Sequence, residues 1–258
     1  MILMYFIYNI LNYVILILSP IILLIRILNG KEDLNRFQEK FCIYTKKNLH
    51  NTIWIHAASV GELMSIIPIL KKLEKEDKLK KIILTTTTTS SAKIFKKLHL
   101  KKTLHKFFPL DTYFLTEKFI DFWKPRLAIF VDSEVWPNMY KNLKRRKIPI
   151  ILLNARLSKN SFIRWNFLKN FAKKVFSNIT LALPQNLETK NYLKALGVKN
   201  IKVAGNLKYY GDKNIDYKRK FILKKKFKEF KIWCAASTHK NEEILIGKLH
   251  KNLKKNEK

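Results

Sequence analysis

The sequence predicts an α/β protein built on a doubly wound parallel sheet, with an apolar helix ahead of it. Three observations carry that expectation. Apolar, β-rich runs recur at 52–57, 81–86, 126–132, 148–153, 179–183 and 200–204, the length and composition of buried strands. Amphipathic stretches separate them, as a parallel sheet covered on both faces requires. The first 25 residues carry no charged side chain.

That N-terminal run is long enough to cross a bilayer core of about 30 Å at about 1.5 Å per residue. It reads as a single-pass anchor spanning 1–28. No basic residue precedes it and no small-x-small site follows, which argues against a cleavable signal. Arg26 and Lys31 lie just past it, so the positive-inside rule places the rest in the cytoplasm. Asn9, Asn12, Ser19 and Pro20 weaken the span and leave open a helix that only dips into the membrane.

The stretch TIWIHAASVGEL, Thr52 to Leu63, comes next. Ile53, Trp54 and Ile55 form a buried strand, and Ala57, Ala58, Ser59 and Gly61 a small-residue turn where a ligand can approach unpaired helical N–H groups. Glu62 then falls in the first turn of a helix, at the lip of a crevice. It suits either chemistry or a helix cap that favours the positive end of the dipole. Leu63, Ile66, Ile67, Leu70 and Leu73 make the buried stripe of that helix, interrupted by Pro68. Ligands in such sheets bind beyond the carboxyl ends of the strands. The turns there hold His56–Glu62, Thr85–Ser91, Asp132–Trp136 and Asn154–Ser158. After Gly205 the chain turns Lys-rich from Tyr217 to Lys231, and a new strand, IWCAAST, starts at Ile232.

Composition bounds the partners loosely. The formal net charge is +33 over 258 residues, which favours anionic surfaces or phosphorylated substrates. Only eight of the 52 basic residues are Arg, and Lys, Ile and Asn are all abundant, the mark of a general compositional drift. No zinc finger, RNA-recognition aromatic signature or Arg-rich helix is present, so a nucleic-acid partner is not expected. Cys42 and Cys234 are the only cysteines, too far apart in sequence for a disulfide framework or zinc spacing. His56 reads as a buried, satisfied imidazole, and no second His stands at metal-ligand spacing. No metal or cofactor is expected.

Seven motifs occur in one order: TIWIHAASVGEL at 52–63, TTTTTSSAKIF at 85–95, FPLD at 108–111, KPRLAIFVDSEVWPN at 124–138, IPIILLNARLS at 148–158, VAGNLKY at 203–209 and WCAASTHKNEE at 233–243. This order resembles the 3-deoxy-D-manno-octulosonic acid (Kdo) transferases, membrane-anchored glycosyltransferases that add Kdo to the lipid A precursor. The resemblance runs from the apolar N-terminus to about residue 245. The stretch 29–41 is also similar to the basic segment that follows the anchor in that family. Ser91 departs from it, standing where the family usually carries Gly.

The resemblance implies a GT-B-like glycosyltransferase: a Rossmann-like acceptor domain over 29–210, then a linker and the incomplete start of a second Rossmann-like, nucleotide-sugar domain over 211–258. It implies Kdo transfer from CMP-Kdo to the lipid A precursor, with inversion and without a metal, at the inner membrane among anionic lipids. Glu62 matches the proton acceptor, Glu134 and Lys208 the transition-state residues, and Asp132 a position that often holds another acid. Ser59, Gly61 and Arg156, with Ser237, Thr238 and His239, are the candidate substrate contacts. For Arg156 an internal ion pair stays open. The resemblance implies a second domain cut short relative to the family. The alternative is therefore a catalytically incomplete acceptor-binding half, or remnant, that needs a partner chain to supply the rest.

Overall fold

A computed structural model describes residues 2–44, 52–77, 79, 81–210, 227, 232–236 and 238–255. The chain divides into two compact units, Met1–Gly211 and Asp212–Lys258.

The first unit begins with α1 (Ile2–Leu28) and a 3-10 turn, Phe37–Phe41. Six strands then alternate with helices: β1 (Thr52–His56), α2 (Val60–Lys75), β2 (Ile82–Thr86), α3 (Thr89–Lys96), β3 (Thr103–Phe107), α4 (Tyr113–Trp123), β4 (Pro125–Val131), α5 (Pro137–Arg145), β5 (Ile150–Ala155), α6 (Lys159–Phe167), α7 (Lys169–Phe176), β6 (Leu181–Pro184) and α8 (Leu187–Ala195). Every pairing is parallel and the order is β3-β2-β1-β4-β5-β6. This is the doubly wound arrangement, whose topological switch point falls between β1 and β4.

Side-chain alternation makes the two layers. Trp54, Ala128, Phe130, Ile150 and Leu152 face a cluster with Phe119, Met139 and Val175 of α4, α5 and α7. Ile53, Ile55, Ile82, Leu84 and Val131 face Leu63, Ile66 and Leu70 of α2. Both faces are apolar, which is why the central strands read as continuous rather than alternating runs. Pro68 sits inside α2 without ending it.

Two strand expectations change. β3 lies at the sheet edge and was not foreseen: TLHKF is buried only at alternate residues, and His105 and Lys106 dilute its apolar signal. The run 200–204 does lie beside β6, through Ala182 N–H to Asn200 O, Lys202 N–H to Ala182 O and Ala204 N–H to Pro184 O. It makes only one bridge, Ala182 with Ile201. Pro184 has no N–H to extend the ladder.

In the second unit α9 (Glu242–Lys255) is the helix described. Residues 232–236, expected as a strand, are exposed and have no ladder partner among the described residues. A strand needs a neighbour to satisfy its backbone groups.

Candidate active site

β1 and β4 are adjacent at the switch point, and the turns leaving their carboxyl ends carry Glu62 and Glu134. Ser59 is the N-cap of α2 and Glu62 its third residue, a capping-box arrangement. Ser59 Oγ accepts from Glu62 N–H at 3.3 Å and donates to Glu62 Oε1 at 2.9 Å. Ala58 N–H donates to Oε2 at 2.7 Å. Gly61, beside it, is exposed and leaves the turn open.

The capping geometry expected of Glu62 is therefore present, and its surroundings are not those of an exposed cap. Burial, followed by the charge of Glu134, pushes the Glu62 carboxyl up to about 7; Asp132 adds to this, while the bonds from Ser59 and Ala58 oppose it. An ordinary exposed cap would not be driven toward neutrality. A carboxylate poised there can take a proton and hand it on.

Two ring nitrogens lie against one oxygen of Glu134. Trp136 Nε1–H bonds Oε2 at 2.9 Å, and His56 Nε2 meets the same atom at 3.3 Å. Trp54 Nε1–H donates to Thr85 Oγ1 at 2.9 Å, and His56 Nδ1 lies 2.9 Å from that hydroxyl and 3.2 Å from the Thr85 carbonyl oxygen. No described residue bonds Glu134 Oε1. His56 is buried and satisfied as expected, yet its role in orienting Glu134 escaped the sequence reading. Only the apolar neighbours of His56 were visible there.

Asp132, just after β4, and Asn154, next to last in β5, have φ of 64° and 55°, left-handed backbone that Asp and Asn tolerate better than most residues. Asn154 Oδ1 accepts from Leu207 N–H at 3.0 Å and so ties the GNLK segment to the end of β5. The segment forms a 3-10 turn, Leu207–Tyr210, in which Asn206 Oδ1 accepts from Lys208 N–H at 3.0 Å. The charges of Arg156 and Lys208 both act on Asp132, pulling its carboxyl down, but burial prevails and the net direction is up. Asp132 in turn acts on Glu62. Glu62, Glu134, Asp132, Arg156 and Lys208 thus form one electrostatic cluster at the carboxyl end of the sheet. Lys208 and Arg156 are exposed.

Gly205 starts this turn with φ of 81°, and no atom lies within 4 Å of where a Cβ would stand. Gly205→Ala meets strain without a clash. It is expected to cost about 1 kcal/mol in denaturant unfolding, the price of a left-handed non-glycine residue.

Ser237 lies outside the described residues. Thr238 and His239 precede α9 in the second unit, where Thr238 Oγ1–H donates to Glu243 Oε1 at 3.1 Å and His239 N–H to Glu242 Oε2 at 2.8 Å.

Residues 35–210 match the family described as 3-Deoxy-D-manno-octulosonic-acid transferase (kdotransferase). Among curated relatives, the 3-deoxy-D-manno-octulosonic acid transferase of Rickettsia bellii is 33% identical over 250 residues, 96% of this chain and 60% of that protein. The enzyme of the same name from Haemophilus influenzae is 34% identical over 206 residues, 78% of this chain and 48% of its own length. The chain thus spans about three fifths or less of these two relatives. Among solved structures, UDP-GlcNAc 2-epimerase from Neisseria meningitidis bound to UDP-GlcNAc gives a TM-score of 0.46 at 12% identity, covering 70% of this chain and 54% of that one. UDP-N-acetylglucosamine 2-epimerase from Rickettsia bellii gives 0.44 at 18%, covering 68% and 49%. At that level of likeness nothing about chemistry follows. The family match covers the sheet, both acidic turns and the GNLK segment, and on that ground the chain belongs to the 3-deoxy-D-manno-octulosonic-acid transferase family.

Proposed function

We propose that the protein transfers Kdo from CMP-Kdo to a hydroxyl of the lipid A precursor, on the cytoplasmic side of the inner membrane, to which α1 attaches it. The observation that carries this reading is the pairing of Glu62 and Glu134 across the switch point, with Glu62 poised near neutrality. In the proposed step the acceptor oxygen bonds to the anomeric carbon of Kdo as the bond from that carbon to the CMP phosphate breaks. The hydroxyl proton passes to Glu62, CMP departs, and the anomeric configuration inverts. Glu134 Oε1 faces the charge that develops on the sugar, and the Lys208 ammonium offsets the charge on the departing phosphate. Ser59 and Gly61 border the acceptor, and Arg156 contacts acceptor or donor phosphate. Ser237, Thr238 and His239 are assigned to the donor. The first unit corresponds to the acceptor domain of a GT-B-like enzyme, and 211–258 to the beginning of the donor domain.

The direct test incubates the purified chain in detergent with CMP-Kdo and lipid A precursor, reading free CMP by chromatography and Kdo-bearing lipid by mass spectrometry. Both products appearing together support the reading. CMP release without Kdo on the lipid contradicts it, and binding of the precursor without turnover limits the chain to acceptor recognition.

Lys208→Met provides a narrower check. The side chain is exposed, so stability should move by less than about 0.5 kcal/mol. Loss of a cation aimed at the leaving group should lower kcat about 100-fold with KM moved far less. A KM effect alone would reassign Lys208 to ground-state binding.

A further inference from the structure

We propose that α1 lies in the plane of the membrane, half immersed in the cytoplasmic leaflet, and does not cross it. The inference rests on the membrane attachment proposed above.

Helix α1 is docked lengthwise on the first unit. Near its start, the Tyr5 ring packs edge-on against Phe171 of α7 at 4.9 Å, and Tyr8 O–H donates to Asp111 Oδ2 at 2.7 Å. Asn138 Nδ2–H donates to Asn9 Oδ1 at 2.9 Å. Farther along, Ser19 and Leu23 are buried. At its end Arg26 pairs with Glu32 at 3.0 Å, and Lys40 binds the same carboxylate. Positions 5, 9, 12, 16, 19, 23 and 26 repeat at three- and four-residue steps, so one seam runs down the whole helix. Asn9, Asn12 and Ser19, the polar residues that weaken the span, belong to that seam. Asn12 Nδ2–H is satisfied by Tyr8 O at 2.8 Å and Ser19 O–H by Leu16 O at 2.6 Å.

The opposite stripe is apolar and bare. Phe6, Ile10, Ile17, Ile21, Leu24 and Leu28 are each 46–78% exposed and follow the same spacing. Charged groups bracket both ends of the helix. Lys141 and Lys174 stand over the Tyr5 ring at 5.2 and 5.4 Å, and Lys31 follows the last turn.

A helix that crosses the bilayer has its two ends on opposite sides and its middle in hydrocarbon. Here the first turns are bonded to a domain carrying Asp111, Asn138 and Lys141, so a crossing helix would draw that polar surface through the core. Charged groups at both ends also place the ends at one depth, in the headgroup layer. The geometry that satisfies both halves is a helix lying flat, its bare stripe about 5–10 Å into the leaflet and its seam on the protein. The lysines at its ends suit anionic headgroups. The occupant of the bare stripe is therefore the acyl region of one leaflet.

The test uses the full chain with an N-terminal hydrophilic epitope, expressed in a Gram-negative host. Flotation with phosphatidylethanolamine–phosphatidylglycerol vesicles first checks attachment. In intact spheroplasts the epitope should resist added protease and be lost only after the inner membrane is permeabilised. Cleavage in intact spheroplasts places the N-terminus in the periplasm and overturns the in-plane reading while leaving attachment standing. Failure to float overturns both. Because an epitope can disturb topology, Ile17→Lys serves as a second readout. It should reduce vesicle flotation at least tenfold with the thermal midpoint unchanged. If its sole effect is to dissociate a dimer in vesicle-free solution, the stripe is a self-association face and the proposal fails.

Discussion

Glu62→Gln is expected to lower kcat by about 10²–10⁴-fold, the range that a positioned general base contributes, with little change in KM. The fold should tolerate it. An amide keeps an oxygen for Ala58 N–H and stays within reach of Ser59, so the two short bonds that shape the turn can both persist. What it loses is the ability to take a proton. The pH dependence makes the assignment specific. A base must be ionised to act, so kcat/KM for the unsubstituted chain should rise with pH through an apparent pKa near 7, the value to which burial and Glu134 push Glu62. That limb should vanish in the variant's residual activity. Stability moves the other way. The folded-state pKa lies above the ordinary value of a glutamate carboxyl, so the folded state holds this proton more tightly than the unfolded chain. The stability contributed by the group is complete below about 4.5 and is lost as pH rises through about 7. Melting profiles at pH 5 and pH 8 should therefore differ more for the unsubstituted chain than for Glu62→Gln. A variant that keeps more than a tenth of the activity would remove Glu62 from the proton-transfer step and leave it a helix cap.

The acids at the switch point were legible from sequence because each follows an apolar strand directly. Glu62 follows β1 across a turn of small residues, and Glu134 follows β4, so their convergence needed only the rule that ligands gather beyond strand ends. The central strands were legible for a related reason, since burial on both faces leaves no polar interruption. What stayed hidden depends on contacts between distant segments. β3 is an edge strand whose alternate residues point to water or to polar partners: His105 bonds Thr86 Oγ1 at 2.9 Å and Arg36 at 2.8 Å. A run of Thr, Leu, His, Lys and Phe has no apolar continuity to detect. The support given to Glu134 by His56, Thr85 and Trp54 spans three strand positions that only the parallel register of β1 and β2 aligns. Asn154 was read only as part of a turn beyond β5, because its bond to Leu207 reaches 53 residues along the chain. The polar residues of α1 were visible, but the partner of Asn9, Asn138, stands 129 residues along the chain.

Asp111→Ala is expected to be the most destabilising single change in the first unit, at about 3–5 kcal/mol. The carboxylate lies in the FPLD turn and is 3% exposed. It accepts from Asn138 N–H at 3.0 Å and Met139 N–H at 2.8 Å. Those are first-turn donors of α5, whose own N-cap residue, Trp136, supplies no side-chain bond. Asp111 is therefore a cap delivered from another element. It also accepts from Tyr8 O–H, while its backbone carbonyl accepts from Asn138 Nδ2–H at 2.6 Å. Alanine leaves three buried donors without an acceptor, each costing about 1–3 kcal/mol, and relaxation recovers only part of that. For a domain of this size the fall in Tm should be about 10 °C. The consequence extends past stability, because α5 begins one residue after Trp136, the indole that holds Glu134 Oε2. Loosening the start of α5 should therefore lower activity at temperatures where the variant is still folded. Tyr8→Phe is the control: it removes one donor and one bond together, leaves the α5 cap in place, and should cost about 1 kcal/mol. Urea unfolding in mild detergent measures all three proteins. If Asp111→Ala falls within 1 kcal/mol of the unsubstituted chain, water has replaced the carboxylate, and the junction of α1, the FPLD turn and α5 is wetter than its buried geometry implies. If Tyr8→Phe costs as much as Asp111→Ala, the docking of α1 and not the cap dominates, which would tie the stability of the acidic site directly to the membrane-facing helix.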